Sequence, residues 1–198
     1  MLIVDKLCRP GMPSVSFDVG SGNCIAVMGP SGSGKTLLLR AVADLDPSEG
    51  RISLDNTKKD SVAAPEWRRR ISYVAAEPGW WAATPEAHFS DWTAAQSLAA
   101  ALLLSPSIGS ALIAQLSTGE RLRLALIRAL MGAPRFLLLD EPTGALDTTT
   151  TEAVEAVLRR RMADGTGIVL VTHDTGQASR LADSILRFEN GHAEVSAA

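Results

Sequence analysis

The sequence contains little cysteine and no long apolar run, and its N-terminus has no basic segment followed by an apolar stretch. Cys8 and Cys24 have neither a metal-ligand spacing nor a C-x-x-C arrangement, so we expect structural thiols in a reducing compartment. The most apolar stretches, such as residues 98–104, are far shorter than the ~20 residues that cross a bilayer. The absence of a signal peptide pattern favours a cytoplasmic protein.

A strong excess of either charge is also missing. The net charge is −3, from 19 basic and 22 acidic residues, which argues against general nucleic-acid binding because such proteins present a basic face. Two short basic runs, at residues 68–70 and 159–161, are interpreted as solvated helix faces. Hydrophobic residues make up 46% of the chain, an ordinary proportion for a globular core, and we expect residues 1–198 to form a single domain.

Short apolar segments alternate with helical patterns along most of the chain. This alternation is typical of a mainly parallel sheet with helices on both faces, which predicts an α/β fold. The predicted strands are residues 2–4, 15–19, 24–28, 50–54, 71–75, 136–139 and 168–172. The predicted helices are residues 35–44, 86–104, 119–131, 149–163 and 176–182. Residues 78–132 interrupt the alternation and are assigned to an inserted helical subdomain.

The most specific motif follows the first buried strand, at residues 24–28, and opens a helix. It reads Gly29-Pro30-Ser31-Gly32-Ser33-Gly34-Lys35-Thr36 and matches the phosphate-binding pattern G-x-x-x-x-G-K-[ST]. Glycines let backbone N–H groups surround a phosphate, and the helix N-terminus adds positive potential. Lys35 would reach the β- and γ-phosphates of ATP, and Thr36 would offer a hydroxyl to Mg²⁺, whereas Leu37 offers no second hydroxyl.

A second motif, the acidic pair Asp140 and Glu141, follows the strand at residues 136–139. Carboxylates at the end of a buried strand are unfavourable unless a cation or hydrogen bonds compensate, and Mg-ATP would supply the cation. Asp140 would hold Mg²⁺ through water, and Glu141 would orient and polarise the attacking water. Together the two motifs predict a P-loop nucleoside triphosphatase, with an antiparallel β part near the N-terminus.

The segment Leu116-Ser117-Thr118-Gly119-Glu120 resembles the L-S-G-G-Q/E signature of ATP-binding cassette (ABC) ATPases. Two further matches follow in the family's order. Glu141-Pro142-Thr143-Gly144-Ala145-Leu146-Asp147 resembles its D-loop region, and Thr172-His173-Asp174 resembles its switch histidine.

The resemblance implies a head-to-tail homodimer that encloses two ATP molecules. Ser117, Thr118, Gly119 and Glu120 of one subunit would then contact the γ-phosphate of ATP bound to the other. Asp147 would communicate across the interface. His173 would contact the γ-phosphate and hold the attacking water together with Glu141.

The sequence departs from the family's pattern at three places. Ala76 stands where the family has a glutamine that touches Mg²⁺ and the water, and we expect Glu77 or an extra water to substitute. Thr118 replaces the first signature glycine, so its side chain either crowds the phosphate or contributes a hydroxyl. The aromatic residue that stacks on adenine is missing, and Arg9 either stacks on the base or is simply solvated.

The resemblance implies the ATP-hydrolysing subunit of a membrane transporter, held at the inner face of the membrane by a separately encoded permease. Trp80 and Trp81 lie where relatives receive that permease, with core packing under the helical subdomain as the alternative. Two other functions stay open, a non-hydrolysing regulatory cassette, motivated by Ala76 and Thr118, and a soluble ATPase of the iron–sulphur assembly type. A GTPase is disfavoured because no N-K-x-D string occurs.

Overall fold

The computed structural model describes residues 1–198 and contains two β-sheets flanked by helices. The strands are β1 (Leu2–Arg9), β2 (Met12–Val19), β3 (Cys24–Met28), β4 (Glu49–Leu54), β5 (Thr57–Lys58), β6 (Ile71–Val74), β7 (Phe136–Asp140), β8 (Gly167–Val171), β9 (Ser184–Glu189) and β10 (His192–Ala197). The α-helices are α1 (Lys35–Val42), α2 (Ala64–Arg70), α3 (Trp92–Ala101), α4 (Thr118–Met131), α5 (Thr148–Ala163) and α6 (Thr175–Leu181). Short 3₁₀ helices lie at Lys59–Ser61, Glu86–His88, Ile108–Ser110 and Ile113–Gln115.

The larger sheet has the strand order β10-β9-β3-β8-β7-β6, and all of its pairs are parallel except β9 with β10. Every residue of β3, β7 and β8 is buried, as expected of parallel strands that helices cover on both faces. Because these three strands are neighbours and point the same way, their carboxyl ends meet at one edge of the sheet. That edge is where ligands bind in open α/β folds.

The smaller sheet, of order β2-β1-β4-β5, is antiparallel throughout. A core cluster of 24 buried residues joins this sheet to α1, α2 and one face of the larger sheet. A second cluster of 20 buried residues joins α3, α4 and α5 to the opposite face. The predicted α/β class, the antiparallel N-terminal part and the mainly parallel sheet are therefore confirmed.

The structure corrects the helix predicted at residues 86–104. In place of one helix, this segment contains the 3₁₀ helix Glu86–His88 and the separate helix α3, which ends at Ala101. The backbone becomes extended at Phe89, which ends the 3₁₀ helix, and the Asp91 side chain then accepts the Ala94 N–H and caps α3. No helix in the structure has both the length and the apolar character needed to cross a membrane.

Candidate nucleotide-binding site

The phosphate loop connects β3 to α1 through glycines with positive φ, at Gly29 (+147°), Gly32 (+76°) and Gly34 (+103°). At Gly29 an added Cβ would lie 2.4 Å from the Phe188 carbonyl oxygen, and at Gly34 one would lie 2.9 Å from the Gly11 carbonyl oxygen. The loop thus packs between the end of β9 and the β1–β2 turn, and only glycine satisfies both the dihedral angle and the space.

Lys35 begins α1 and is buried. Its Nζ donates to the carbonyl oxygens of Gly29 at 2.7 Å and Pro30 at 2.8 Å, so the ammonium lies against the loop. Burial lowers the pKa of Lys35, while nearby Glu141 and Asp140 act to raise it. The Ser33 hydroxyl is buried without a hydrogen-bond partner. A buried cation beside an unpartnered hydroxyl, in a loop that opens a helix, fits an anionic phosphate group.

Asp140, the last residue of β7, is only 3% exposed. Its Oδ2 accepts a hydrogen bond from the Thr36 hydroxyl at 2.8 Å and another from the Tyr73 hydroxyl at 3.1 Å. Both donors are uncharged, and both bonds end on Oδ2, which leaves Oδ1 for a further partner. Burial is the main cause that raises the pKa of Tyr73, and the negative charge of Asp140 is the next. The phenol is therefore favoured in its protonated form, which can donate a hydrogen bond.

Thr36 and Asp140 are the two residues that sequence analysis assigned to Mg²⁺, and the structure brings them into contact. No cluster of three or more His, Cys, Asp or Glu side chains with the arrangement of a metal site occurs in the structure. One carboxylate and one hydroxyl suit Mg²⁺, which keeps several waters and is commonly completed by substrate phosphates. The residues therefore fit a magnesium ion that arrives with a nucleotide.

Glu141 has a positive φ of +50°, a conformation that a non-glycine residue adopts at some energetic cost. Its backbone N–H donates to the Val171 carbonyl oxygen at 3.1 Å, which ties it to the end of β8. His173 follows the same strand, and its Nε2 lies 2.7 Å from Glu141 Oε1. These two side chains are both partly exposed, so the pair is accessible to water and ligand.

The loop, the glutamate and the histidine surround one cleft of about 260 Å³. Its lining residues are Ser31, Gly32, Gly34, Lys35, Thr36, Leu37, Glu141 and His173. Residues from three separate chain segments thus converge on a single space.

The signature residues lie elsewhere, at the N-terminus of α4, and none of them lines this cleft. Ser117 caps the helix: its Oγ accepts the Glu120 N–H at 3.2 Å, and Glu120 Oε2 accepts from the Ser117 N–H and hydroxyl, each at 2.8 Å. This reciprocal pair is a capping box. The Ser117 N–H and hydroxyl bonds lower the pKa of Glu120. Thr118 is exposed, and Gly119 is buried where a Cβ would lie 2.8 Å from Leu146 Cδ2.

Asp147 is the N-cap of α5 and is exposed. It accepts hydrogen bonds from the Thr150 N–H and hydroxyl, both at 2.9 Å. These two bonds lower the pKa of Asp147, and the bond from the Thr150 backbone N–H has the larger effect. The Gly119–Leu146 contact places the signature beside the segment that leads into Asp147.

Of the two predictions made for Arg9, stacking on the base or simple solvation, the structure shows that simple solvation is wrong. Arg9 Nη1 forms a 2.6 Å salt bridge with Asp46 Oδ2, and Arg40 binds the same carboxylate at 2.7 Å and 2.8 Å. Hydrogen bonds from Arg40 and Arg9 hold the pKa of Asp46 well below its usual range. Stacking of Arg9 on the base stays a prediction.

Ala76 and Glu77 follow β6 outside the cleft. Glu77 is exposed and does not line the cleft, so the prediction that it replaces the family's glutamine stays open. Strand β6 instead reaches the acidic pair through Tyr73, a residue that sequence analysis missed. Finding it requires knowing that β6 lies next to β7, because only then does a phenol on one strand meet a carboxylate on the other.

Trp80 and Trp81 both contact Arg128 of α4. Its guanidinium carbon lies 4.7 Å and 4.9 Å from the two ring centroids, within cation–π range. Both Arg128 Nη atoms also donate to the Gly79 carbonyl oxygen at 3.3 Å. Trp80 packs against the second core cluster, whereas Trp81 is 72% exposed. The core-packing alternative therefore holds for Trp80 and is wrong for Trp81.

The phosphate loop after β3, the acids at the end of β7 and the histidine after β8 define a P-loop nucleotide-binding domain. A family model described as ABC transporter matches residues 12–144. The sulfate/thiosulfate import ATP-binding protein CysA of Caulobacter vibrioides is 35% identical over 93% of this chain and 59% of its own length. The taurine import ATP-binding protein TauB of Yersinia pestis is 36% identical over 94% of this chain and 77% of its own length. The chain belongs to the ABC transporter ATP-binding family.

Solved structures agree on the fold. The ATP-binding subunit of an ABC transporter superimposes with a TM-score of 0.88 at 23% identity, over 99% of this chain and 89% of the other. A dimeric cassette in a post-hydrolysis state with ADP and phosphate gives 0.81 at 24% identity, over 100% of this chain and 98% of the other. The chain also matches a second sulfate/thiosulfate import ATP-binding protein and an Fe(3+) ions import ATP-binding protein, and it spans 57–59% of the length of these two and of the Caulobacter protein.

Proposed function

We propose that this chain binds Mg-ATP and hydrolyses it as the nucleotide-binding subunit of an ABC transporter. The observation that carries the proposal is the convergence of Lys35, Thr36, Glu141 and His173 on one cleft, with Asp140 hydrogen-bonded to Thr36. Lys35 and the loop N–H groups bind the β- and γ-phosphates. Thr36 and Asp140 hold Mg²⁺, which when bound neutralises phosphate charge.

Glu141 is the residue we assign to the attacking water. The 2.7 Å contact from His173 Nε2 engages Oε1 and leaves the second carboxylate oxygen for a hydrogen bond from water. The left-handed backbone of Glu141 and its bond to Val171 set the direction from which the side chain enters the cleft. His173 thus positions the carboxylate at the edge of the cleft.

The position of the signature supports an active homodimer. The N-terminus of α4 is formed by Ser117, Thr118, Gly119 and Glu120, and a helix N-terminus favours the binding of anions. The phosphate loop of the same chain lines a cleft that does not include these residues. A second copy in head-to-tail orientation completes two equivalent sites, each pairing one copy's loop with the other's signature. Asp147 lies beside the signature and faces the same interface.

The surface around Trp81 is proposed to receive the permease, which holds the chain at the cytoplasmic face of the membrane. A groove of about 350 Å³ lies beside it and is bounded by Gly79 and Arg128. An exposed tryptophan next to a groove is a typical anchor for a protein partner. The two named relatives import different substrates, so the proposal assigns no cargo. We take residues 1–198 as one domain and residues 78–132 as its helical subdomain.

Hydrolysis of Mg-ATP measured against protein concentration tests the proposal. We expect the rate per subunit to rise with concentration and to fall by at least ~100-fold in Glu141→Gln, because the carboxylate that orients water is lost. Glu77→Ala in the same assay tests whether Glu77 takes part, since unchanged hydrolysis would show that it does not replace the family's glutamine. ATP binding without hydrolysis at any concentration would contradict the proposal and favour a non-hydrolysing cassette.

A further inference from the structure

Strand β6 supplies a contact to the metal-binding carboxylate that lies outside the motifs described above. Tyr73 is paired with Leu138 in the parallel register of β6 and β7, and Asp140 follows Leu138 by two residues on the same face. The phenol therefore lies alongside the end of β7, where its hydroxyl donates to Asp140 Oδ2 at 3.1 Å.

The two hydrogen bonds of Asp140 fix which of its oxygens is available. The Thr36 bond at 2.8 Å and the Tyr73 bond at 3.1 Å both end on Oδ2. Thr36 is itself assigned to the metal, so its hydroxyl has to serve two partners. Tyr73 has only the carboxylate as a hydrogen-bond partner, and its bond can persist when Thr36 turns towards a metal ion.

We propose that Tyr73 is a positioning residue whose hydroxyl anchors Asp140 Oδ2, so that Oδ1 is the oxygen presented to the water shell of Mg²⁺. This inference rests on the proposed function, because it requires that Asp140 serve a metal–nucleotide complex. The anchor comes from the strand that leads to Ala76, whose methyl group cannot contact the metal. Strand β6 thereby contributes to the metal site through its middle rather than through the loop that follows it.

Tyr73→Phe removes only the hydroxyl, and Ser72→Ala is the matched control. Ser72 is also half-buried on β6, but its side chain points to the opposite face. ATP affinity is measured twice for each protein, in EDTA and in excess Mg²⁺, and the ratio reports metal binding. We expect Tyr73→Phe to lower this ratio about tenfold, the usual scale for a lost hydrogen bond to a charged group, with the affinity in EDTA unchanged. Ser72→Ala should behave as the wild type.

A second readout uses the fact that the chain contains one tyrosine. With ¹³C at the phenol carbon, the wild type gives one tyrosine signal, and we expect it to shift more with Mg-ATP than with ATP in EDTA. An unchanged ratio in Tyr73→Phe would overturn the inference, and so would a signal that does not respond to metal. If the wild type itself shows no ATP binding, the proposed function fails, which is a separate result.

Discussion

Gly29→Ala tests whether the phosphate loop depends on β9 for its shape. The residue has φ +147°, and an added Cβ would lie 2.4 Å from the Phe188 carbonyl oxygen and 2.9 Å from Phe188 Cβ. This sparsely populated backbone conformation costs a residue with a Cβ about 1–3 kcal/mol, and overlap with a backbone atom in packed surroundings adds about 1–3 kcal/mol. We therefore expect the free energy of unfolding to fall by about 3 kcal/mol. Gly32→Ala is the matched control, since Gly32 has φ +76° but no atom within 4 Å of the added Cβ. It should lose only about 1 kcal/mol.

Urea unfolding followed by tryptophan fluorescence measures both variants, with a common slope required for the comparison. The reasoning predicts that Gly29→Ala unfolds at clearly lower urea than Gly32→Ala. Equal midpoints would refute it, because they would mean that contact between the loop and β9 adds nothing to the dihedral cost.

Three further predictions concern buried groups. Trp67→Phe should lose about 2 kcal/mol of unfolding free energy, because the buried indole N–H donates to a carbonyl of α1 at 2.9 Å and that acceptor is left unpaired; an unchanged urea midpoint would contradict this. Burial raises the pKa of Glu155, but hydrogen bonds and charge from Arg180 outweigh it, so the pKa lies below the usual 4.5. The stabilisation by that carboxylate is present above the usual value and is lost as pH falls through the lowered folded-state pKa, so the stability difference between wild type and Glu155→Gln should shrink as pH falls below 4.5. A constant difference would show that charge is not involved. Burial raises the pKa of Cys24 to about 12, so a thiol reagent at pH 8 should label Cys8 and spare Cys24 in the folded protein, as mass spectrometry would show; equal labelling would contradict the packing around β3.

The convergence of the main site residues could be predicted from the sequence. Thr36, Asp140 and His173 lie next to apolar strands, and parallel strands end at one sheet edge, so proximity follows once the fold class is known. Tyr73 could not be found in this way. Its contact depends on β6 being the neighbour of β7, and strand order is a tertiary property that local patterns do not contain.

Other elements were missed for different reasons. Helix α2 has a largely charged sequence, and its one fully buried side chain, Trp67, gives no periodic pattern. The β9–β10 hairpin has a readable signal, Asn190-Gly191 with φ +50° and +75°, but the exposed face of β10 hides the strand. The partner of Arg9 is 37 residues away at Asp46, so no local pattern could indicate the salt bridge.

The most direct test of the central claim, a nucleotide site completed by a second copy, is the mass of Glu141→Gln in solution with and without ATP. Sedimentation should give the 20.9 kDa monomer alone and twice that mass with Mg-ATP. Adding Thr118→Arg, at an exposed position of the signature, should leave ATP binding intact and abolish the dimer. A protein that binds ATP and stays monomeric at every concentration would contradict the account.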